Sequence, residues 1–278
     1  MDQLIRAEIS RFVQQDPGNR FAVSGAPYFV EPLVGFAAAD DPLFTDYRRI
    51  IGPFHQVPQE ILSGARTVIV WVLPISSATR ESNRQEDAWP SRQWALTRHH
   101  GEGFNLALRR HLVDWLEGQG YQAAAPQLAP AWRQLDDPAS GVASTWSERH
   151  AAYAAGLGTF SLNDGLITAR GIAHRLGSVV TDLALPSTPR AAPDYRHNCL
   201  WYREGTCGAC IGRCPVAAIS PAGHDKRRCR DFVYGVVPTA VGERYGVTQA
   251  GCGLCQTRVP CEAQVPPGRP GGGPVTAR

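Results

Sequence analysis

Apolar positions along the chain follow three different rhythms. At the start, Leu4, Ile5, Ile9, Phe12 and Val13 recur at the spacing of one helical face. An amphipathic helix is therefore expected over residues 2–15, stopped by Asp16, Pro17, Gly18 and Asn19. Residues 65–74 form instead a continuous, β-branched apolar run that Pro74 ends, which predicts a strand buried on both faces at the centre of a sheet. Residues 94–118 return to helical spacing, with Leu106, Leu108, Leu112, Val113 and Leu116 available for packing.

The segments between are read from their breakers and polar runs. Residues 21–46 are aromatic and loop-like, and Pro27, Pro32 and Pro42 exclude a long helix there. Phe29, Phe36, Phe44 and Tyr47 are expected in the core. Residues 76–91 are polar and read as a surface loop that lies over a ligand. His99, His100 and His111 fall on or near the long helix as surface or substrate contacts. Residues 120–138 hold short strands and turns and carry Asp136 and Asp137. A helix is expected from Ser144 or Thr145, where Glu148 stands three positions after Thr145 as in a capping box, and it ends at Gly156. Gly156, Gly158 and Ser161 imitate a dinucleotide fingerprint, but this run follows a helix where the motif must follow a strand. Residues 166–168 and 177–183 read as a strand pair with a turn near Arg170 and Gly171. Residues 186–193 form a proline-rich connector.

Composition narrows the class. Of 278 residues 43% are hydrophobic and 19% charged, the balance of an ordinary globular chain. No segment reaches the roughly 18–20 consecutive apolar residues of a membrane span. With no signal-peptide pattern at the start, a cytoplasmic location is expected. The net charge of +3 is too small to argue for nucleic acid. Its distribution matters more, because Arg196, Arg203, Arg213, Lys226, Arg227, Arg228 and Arg230 crowd one region. They form either a solvated basic face or a docking patch for an acidic electron donor. Lys226 is the only lysine, so no phosphate loop of the GK[ST] type exists and a Schiff base has one available amine.

All eight cysteines lie between Cys199 and Cys261, with none in the preceding 198 residues. Cys207, Cys210 and Cys214 followed by Pro215 form a Cys-x2-Cys-x3-Cys-Pro run, in which the cysteine before proline turns to a neighbouring iron–sulfur cube. Glu204 stands where a bacterial ferredoxin would have its first cysteine, and Cys199 replaces it across a looped-out insertion. Filling the pattern in order assigns Cys199, Cys207, Cys210 and Cys261 to one [4Fe-4S] cluster and Cys214, Cys229, Cys252 and Cys255 to a second. Tetrahedral zinc and disulfides are the competing uses of sulfur. A bridge-free first two-thirds disfavours disulfides, and the Cys-x3-Cys-Pro turn disfavours zinc.

One order of motifs carries a family resemblance: residues 147–158, beginning Ser147-Glu148-Arg149-His150 and closing on Gly156-Leu157-Gly158; then Leu166-Ile167, Gly177-Ser178 and Thr181-Asp182-Leu183; then the cysteine module with Cys252-Gly253-Leu254-Cys255-Gln256. Over roughly residues 60–262 the chain resembles the epoxyqueuosine reductase family, which is related to the corrinoid reductive dehalogenases. The resemblance implies an α+β fold, with a nitroreductase-like catalytic domain over residues 1–190, a ferredoxin-like double-cluster domain over 191–265 and a flexible tail over 266–278. It also implies electrons passing from a flavodoxin- or ferredoxin-type donor through the distal and proximal clusters to cobalamin, or less readily to flavin, with Cys199, Cys207, Cys210 and Cys261 holding the proximal cluster. Glu148, Arg149, His150 and Tyr153 become the candidates for the pocket. The chain departs from the family in two places. Residues 141–146 lack the acidic proton donor expected before the Glu-Arg pair, Asp136 and Asp137 coming several positions too early. The helical-repeat tail that helps longer members hold tRNA does not follow. The expectation is therefore a short form whose substrate is a small molecule or a modified nucleoside, without an inherited claim on tRNA. A carrier or assembly protein with two clusters and no organic cofactor is the alternative.

Overall fold

A computed structural model describes residues 1–138 and 141–268. The tail expected from residue 266 therefore lies almost wholly outside the described residues. In chain order the main elements are α1 (Asp2–Gln15), β1 (Leu33–Ala38), α2 (Pro42–Ile50), α3 (Pro58–Ile61), β2 (Thr67–Pro74), α4 (Ser77–Arg84) and α5 (Arg92–Gly118). Next come β3 (Ala123–Ala124), β4 (Gln134–Asp137), β5 (Gly141–Ser144), α6 (Glu148–Ala154), β6 (Gly158–Phe160), β7 (Leu166–Thr168) and β8 (His174–Thr181). The cysteine region holds α7 (Leu200–Glu204), α8 (Ala209–Gly212), β9 (Ile219–Ser220), β10 (Gly223–His224), α9 (Lys226–Asp231) and α10 (Glu243–Tyr245).

The chain divides into two compact units. The first comprises Met1–Leu73, Glu102–Leu157 and Arg175–Ala191; the second comprises Pro74–Gly101, Gly158–His174 and the chain from Ala192 onward. The cysteine-bearing unit thus takes in two segments that the sequence groups with the first 190 residues.

A sheet in the order β1-β2-β8-β3 forms the frame of the first unit. β2 lies between β1 and β8 and is buried at every position, as its unbroken apolar run predicts. Gly177 of β8 lies against the Trp71 indole, where an added Cβ would come within 2.4 Å of the ring. α1 buries Ile5, Ile9 and Val13, and Phe29, Phe36, Phe44 and Tyr47 are all core residues.

In four places the structure departs from the sequence reading. Pro42 starts α2 rather than breaking a helix: it occupies the first turn, where its missing N–H has no helical partner to lose, and Asp41 caps the helix through Leu43 N. β1, also unanticipated, pairs antiparallel with β2 from Leu33↔Val72 to Ala38↔Thr67. The expected surface loop at 76–91 contains α4, whose buried face is made by the polar Thr79 and Asn83. Finally, β7 pairs with β6 rather than with β8, while β8 joins the large sheet.

Candidate functional site

In the second unit, Cys199 precedes the first turn of α7, and Gly205 at φ 64° reverses the chain so that Cys207 and Cys210 return toward it. The seven-residue insertion is therefore a short helix ending in a left-handed turn. Cys199, Cys207, Cys210 and Cys261 line one small hollow of about 20 Å³, together with Ile167, Trp201 and Val259. Burial pushes the Cys210 thiol up to about 12, and the neighbouring Cys199 and Cys207 add to the effect. The Cys261 thiol rises to about 12 for the same reason, beside Cys199, Cys210 and Cys207.

Cys214, Cys229, Cys252 and Cys255 form a second group of neighbours. Burial raises Cys252 to about 12, with Cys229 and Cys214 contributing, and Cys255 is raised by burial and then by Cys252, Cys229, Cys210 and Cys214. The two groups adjoin, since Cys199, Cys210, Cys214, Cys255 and Cys261 all pack on one apolar cluster with Ile167, Ile219 and Val259. All eight thiols are free. Among the described residues no three His, Cys, Asp or Glu side chains converge as ligands of a single ion would. Buried thiols of this kind ionise readily only where a cation offsets the electrostatic penalty that burial imposes on thiolates.

The loops bearing these cysteines are tied down by polar groups from several elements of the same unit. Gly253 sits at φ 68° with its α-carbon against the Trp94 indole, where an added Cβ would come within 2.0 Å of the ring. Asn83 of α4 donates to the Cys252 carbonyl at 3.4 Å and to Thr257 Oγ1 at 3.1 Å. Arg213 is only 6% exposed; it donates to the carbonyls of Leu254, Thr257, Asn83 and Glu86 and pairs with Asp87 at 2.8 Å. It is a buried clamp, and so does not belong to the basic face on which the sequence groups it. Glu262 pairs with Arg84 at 2.7 Å and Arg80 at 3.4 Å and accepts from the Arg258 N–H.

One further group touches the second set of thiols. The turn between β6 and β7 sends Asn163 Nδ2 to the Cys255 carbonyl at 3.0 Å and Asp164 Oδ2 to His224 Nδ1 at 3.2 Å. Cys229 is the other group that acts on the charge of the His224 ring. Burial alone would lower the imidazole, but these two partners outweigh it and push His224 up to about 9. The Asn163-Asp164-Gly165 run between two short apolar stretches is a turn signal visible in the sequence, whereas nothing there singles out His224.

Of the candidates in the first unit, Glu148 opens α6 after Ser147, and no capping box with Thr145 forms. Thr145 Oγ1 instead accepts from the Arg133 N–H at 3.1 Å. Glu148 Oε1 pairs with Arg109 at 3.1 Å and Oε2 accepts the Ser178 hydroxyl at 2.6 Å, while Ser178 Oγ accepts the Trp146 indole N–H at 3.0 Å. Both carboxylate oxygens are thus engaged within the unit. His150 Nδ1 lies 2.8 Å from Ser147 Oγ, and the His150 carbonyl accepts the Tyr47 hydroxyl. Arg149 is exposed and Tyr153 half-buried on the same helix. Asp136 and Asp137 lie on β4, opposite Val142 and Gly141 of β5. His111 stacks on Phe12 and contacts Glu8, and His99 and His100 meet edge to face. No helix among the described residues is long and apolar enough to cross a membrane.

No family model matches the chain. The epoxyqueuosine reductase of Gloeobacter violaceus is 32% identical over 218 residues, which cover 73% of this chain and 58% of the relative. That of Burkholderia pseudomallei is 31% identical over 90 residues, covering 31% and 22%. The chain thus spans no more than about three-fifths of these curated relatives. In fold it resembles the epoxyqueuosine reductase of Streptococcus thermophilus, with a TM-score of 0.52, 17% identity and coverage of 94% of this chain and 66% of the other. It also resembles an epoxyqueuosine reductase solved with an epoxyqueuosine-modified tRNA stem loop, with a TM-score of 0.51, 20% identity and coverage of 83% and 61%. A catabolic reductive dehalogenase in complex with 3-bromo-4-hydroxybenzoic acid gives a TM-score of 0.50 at 16% identity, covering 94% and 36%.

Proposed function

Because this chain is epoxyqueuosine reductase-like, we propose that it is an oxidoreductase in which electrons pass through two [4Fe-4S] clusters to a cobalamin-type cofactor serving a reductive site. The observation that carries the reading is the convergence of Cys199, Cys207, Cys210 and Cys261 on one apolar hollow, with Cys214 and Cys255 packed on the same apolar cluster. Cys199, Cys207, Cys210 and Cys261 would hold the cofactor-proximal cluster, and Cys214, Cys229, Cys252 and Cys255 the distal one. Bound clusters supply one-electron transfer at potentials set by surrounding charge and hydrogen bonds. The chain's own contribution is to gather eight thiols, all but Cys199 half-buried, and to fix their loops through Arg213, Asn83 and Glu262. Arg227 and Arg228, exposed on the helix that bears Cys229, suit an acidic flavodoxin- or ferredoxin-type donor.

The corrinoid half of the proposal rests on the resemblance. Glu148 is committed to Arg109 and Ser178, so it is assigned to anchoring α6 and no step is routed through it. Arg149, His150 and Tyr153 stay as candidates for pocket contacts. A modified nucleoside is the first substrate class to assay, with small molecules second.

Anaerobic purification tests the reading directly. About eight irons and eight sulfides per chain, together with an extractable corrin, are the expected result. Zinc in place of iron overturns the cluster assignment. Two clusters without corrin or flavin leave an electron carrier in place of the reductase.

A further inference from the structure

Arg213 stands between Cys210 and Cys214, and its side chain turns into the unit, leaving it 6% exposed. Its Nε donates to the carbonyls of Leu254 at 3.2 Å and Thr257 at 3.1 Å, which bracket Cys255 in the chain. Its Nη2 donates to the Asn83 carbonyl at 3.3 Å, and the Asn83 amide in turn donates to the Cys252 carbonyl at 3.4 Å. Its Nη1 donates to the Glu86 carbonyl and to Asp87 Oδ1, both at 2.8 Å. The guanidinium is thus carried by the residue before Cys214, bonded to the residue before Cys255 and joined through Asn83 to Cys252. Three of the four cysteines assigned to the second cluster are reached from this one side chain.

A neutral donor could satisfy such carbonyls. A guanidinium adds a charge that is never titrated away, and burying that charge is costly unless a counter-charge meets it. Among the described residues its acidic partner is Asp87, which is 71% exposed and also pairs with Arg258; a carboxylate so well solvated offsets little of the cost. The buried acid of this region, Glu262, is shared by Arg84 and Arg80. A buried positive charge is therefore held beside the second set of cysteines with no buried anion among its printed ion-pair partners. A [4Fe-4S] core on four thiolates is net negative, and a cation beside it favours the reduced, more negative state. We infer that Arg213 is the fixed counter-charge of the cluster assigned to Cys214, Cys229, Cys252 and Cys255, and that its charge, more than its hydrogen bonds, holds that cluster at a higher reduction potential than the thiolates alone would give. The inference rests on the two-cluster reading and deepens it, by naming the side chain that makes the distal site easier to reduce.

Potentiometric titration of the anaerobic holoprotein, followed by EPR and with iron content measured alongside, tests it. Wild-type protein should show two reduction waves. In Arg213→Gln, which keeps N–H donors and loses the charge, one wave should fall by about tenfold in the equilibrium constant, about 59 mV for one electron, and the other should move less. Arg213→Lys, which keeps the charge and cannot span all five acceptors, should leave that wave within about threefold of wild type. A residue that merely ties loops together would give the reverse order, with Gln no worse than Lys. Should either variant lose the second cluster, leaving about four irons per chain, Asp87→Asn decides. Removing that exposed partial counter-charge should raise the same wave by about two- to threefold, and a wave that stays or falls overturns the inference. Full iron content with both waves unmoved in Arg213→Gln, or an equal fall in Gln and Lys, overturns the inference alone. Wild-type protein free of iron removes the two-cluster reading and the inference together.

Discussion

The two units bury charge in opposite ways. In the first, Arg109 is 1% exposed, yet it pairs with Glu148 at 3.1 Å and Glu102 at 3.5 Å and donates to the Leu176 carbonyl. Ser178 and the Trp146 indole extend that network, so the positive charge meets its counter-charge within the chain. In the second unit, thiols are packed beside one another, and burial together with thiol neighbours raises the resistance of Cys210, Cys255 and Cys261 to ionisation. The contrast separates a structural use of buried charge from a functional one. Where acid and base are both encoded, the network locks the fold. On the two-cluster reading proposed above, the positive charge for the gathered thiolates comes from bound metal.

The contrast can be broken most severely at Cys210. Cys210→Ser should cut iron from about eight to about four per chain and abolish turnover, while the far-ultraviolet circular dichroism stays close to wild type. Unchanged iron would remove Cys210 from the ligand set. Next in size, Arg109→Met leaves the half-buried Glu148 beside Ser178 without its cation, with an expected loss of about 3 kcal/mol in urea unfolding. The double replacement Arg109→Met with Glu148→Gln should recover part of that loss, because no unpaired charge then remains.

A third test uses pH. Burial, then the positive Arg48, hold His55 down at about 4, and its Nε2 accepts the Ser147 N–H at 3.2 Å while the ring stacks on Trp146. A histidine depressed from 6.5 takes up its proton in the unfolded chain first. Its contribution is therefore complete above about pH 6.5 and lost progressively as pH falls toward 4, amounting to roughly 3 kcal/mol over that window. Urea unfolding of His55→Gln against wild type at pH 7 and pH 4.5 should show a shallower acid loss in the variant. The smallest effect is expected for Ser178→Ala, which removes one hydrogen bond to the Glu148 carboxylate and should lower stability by about 1.5 kcal/mol with iron content unchanged.

The readable parts of the fold are those where burial is apolar. β2 announces itself because all its buried positions but Thr67 are apolar, α5 because Leu108, Leu112 and Leu116 recur at helical spacing even though Thr97, Asn105 and Arg109 are buried with them, and α1 because its stripe is regular. α4 is silent because its buried face is Thr79 and Asn83, polar residues whose partners belong to distant segments: Asn83 serves Ser91, Cys252 and Thr257. α2 is hidden by Pro42, a residue that stops helices in their interior and starts them at their first turn. The separation of β7 from β8 depends on which partners each strand finds, and a pattern with period two carries no information on that choice. At the site, the cysteines stand out by residue type alone. His224 acquires its carboxylate partner only when the turn bearing Asp164, 60 residues earlier, is folded against it.

Gly253 shows how little freedom the two positions inside a Cys-x2-Cys motif can have. Its backbone is left-handed and its missing side chain is filled by the Trp94 indole, so the spacer acts as a mould for the pair of sulfurs on either side. A sequence drifting under selection would have to change both positions together, exchanging the flat ring for something smaller as the glycine acquired a side chain. In a set of diverged sequences, residues 94 and 253 should therefore covary.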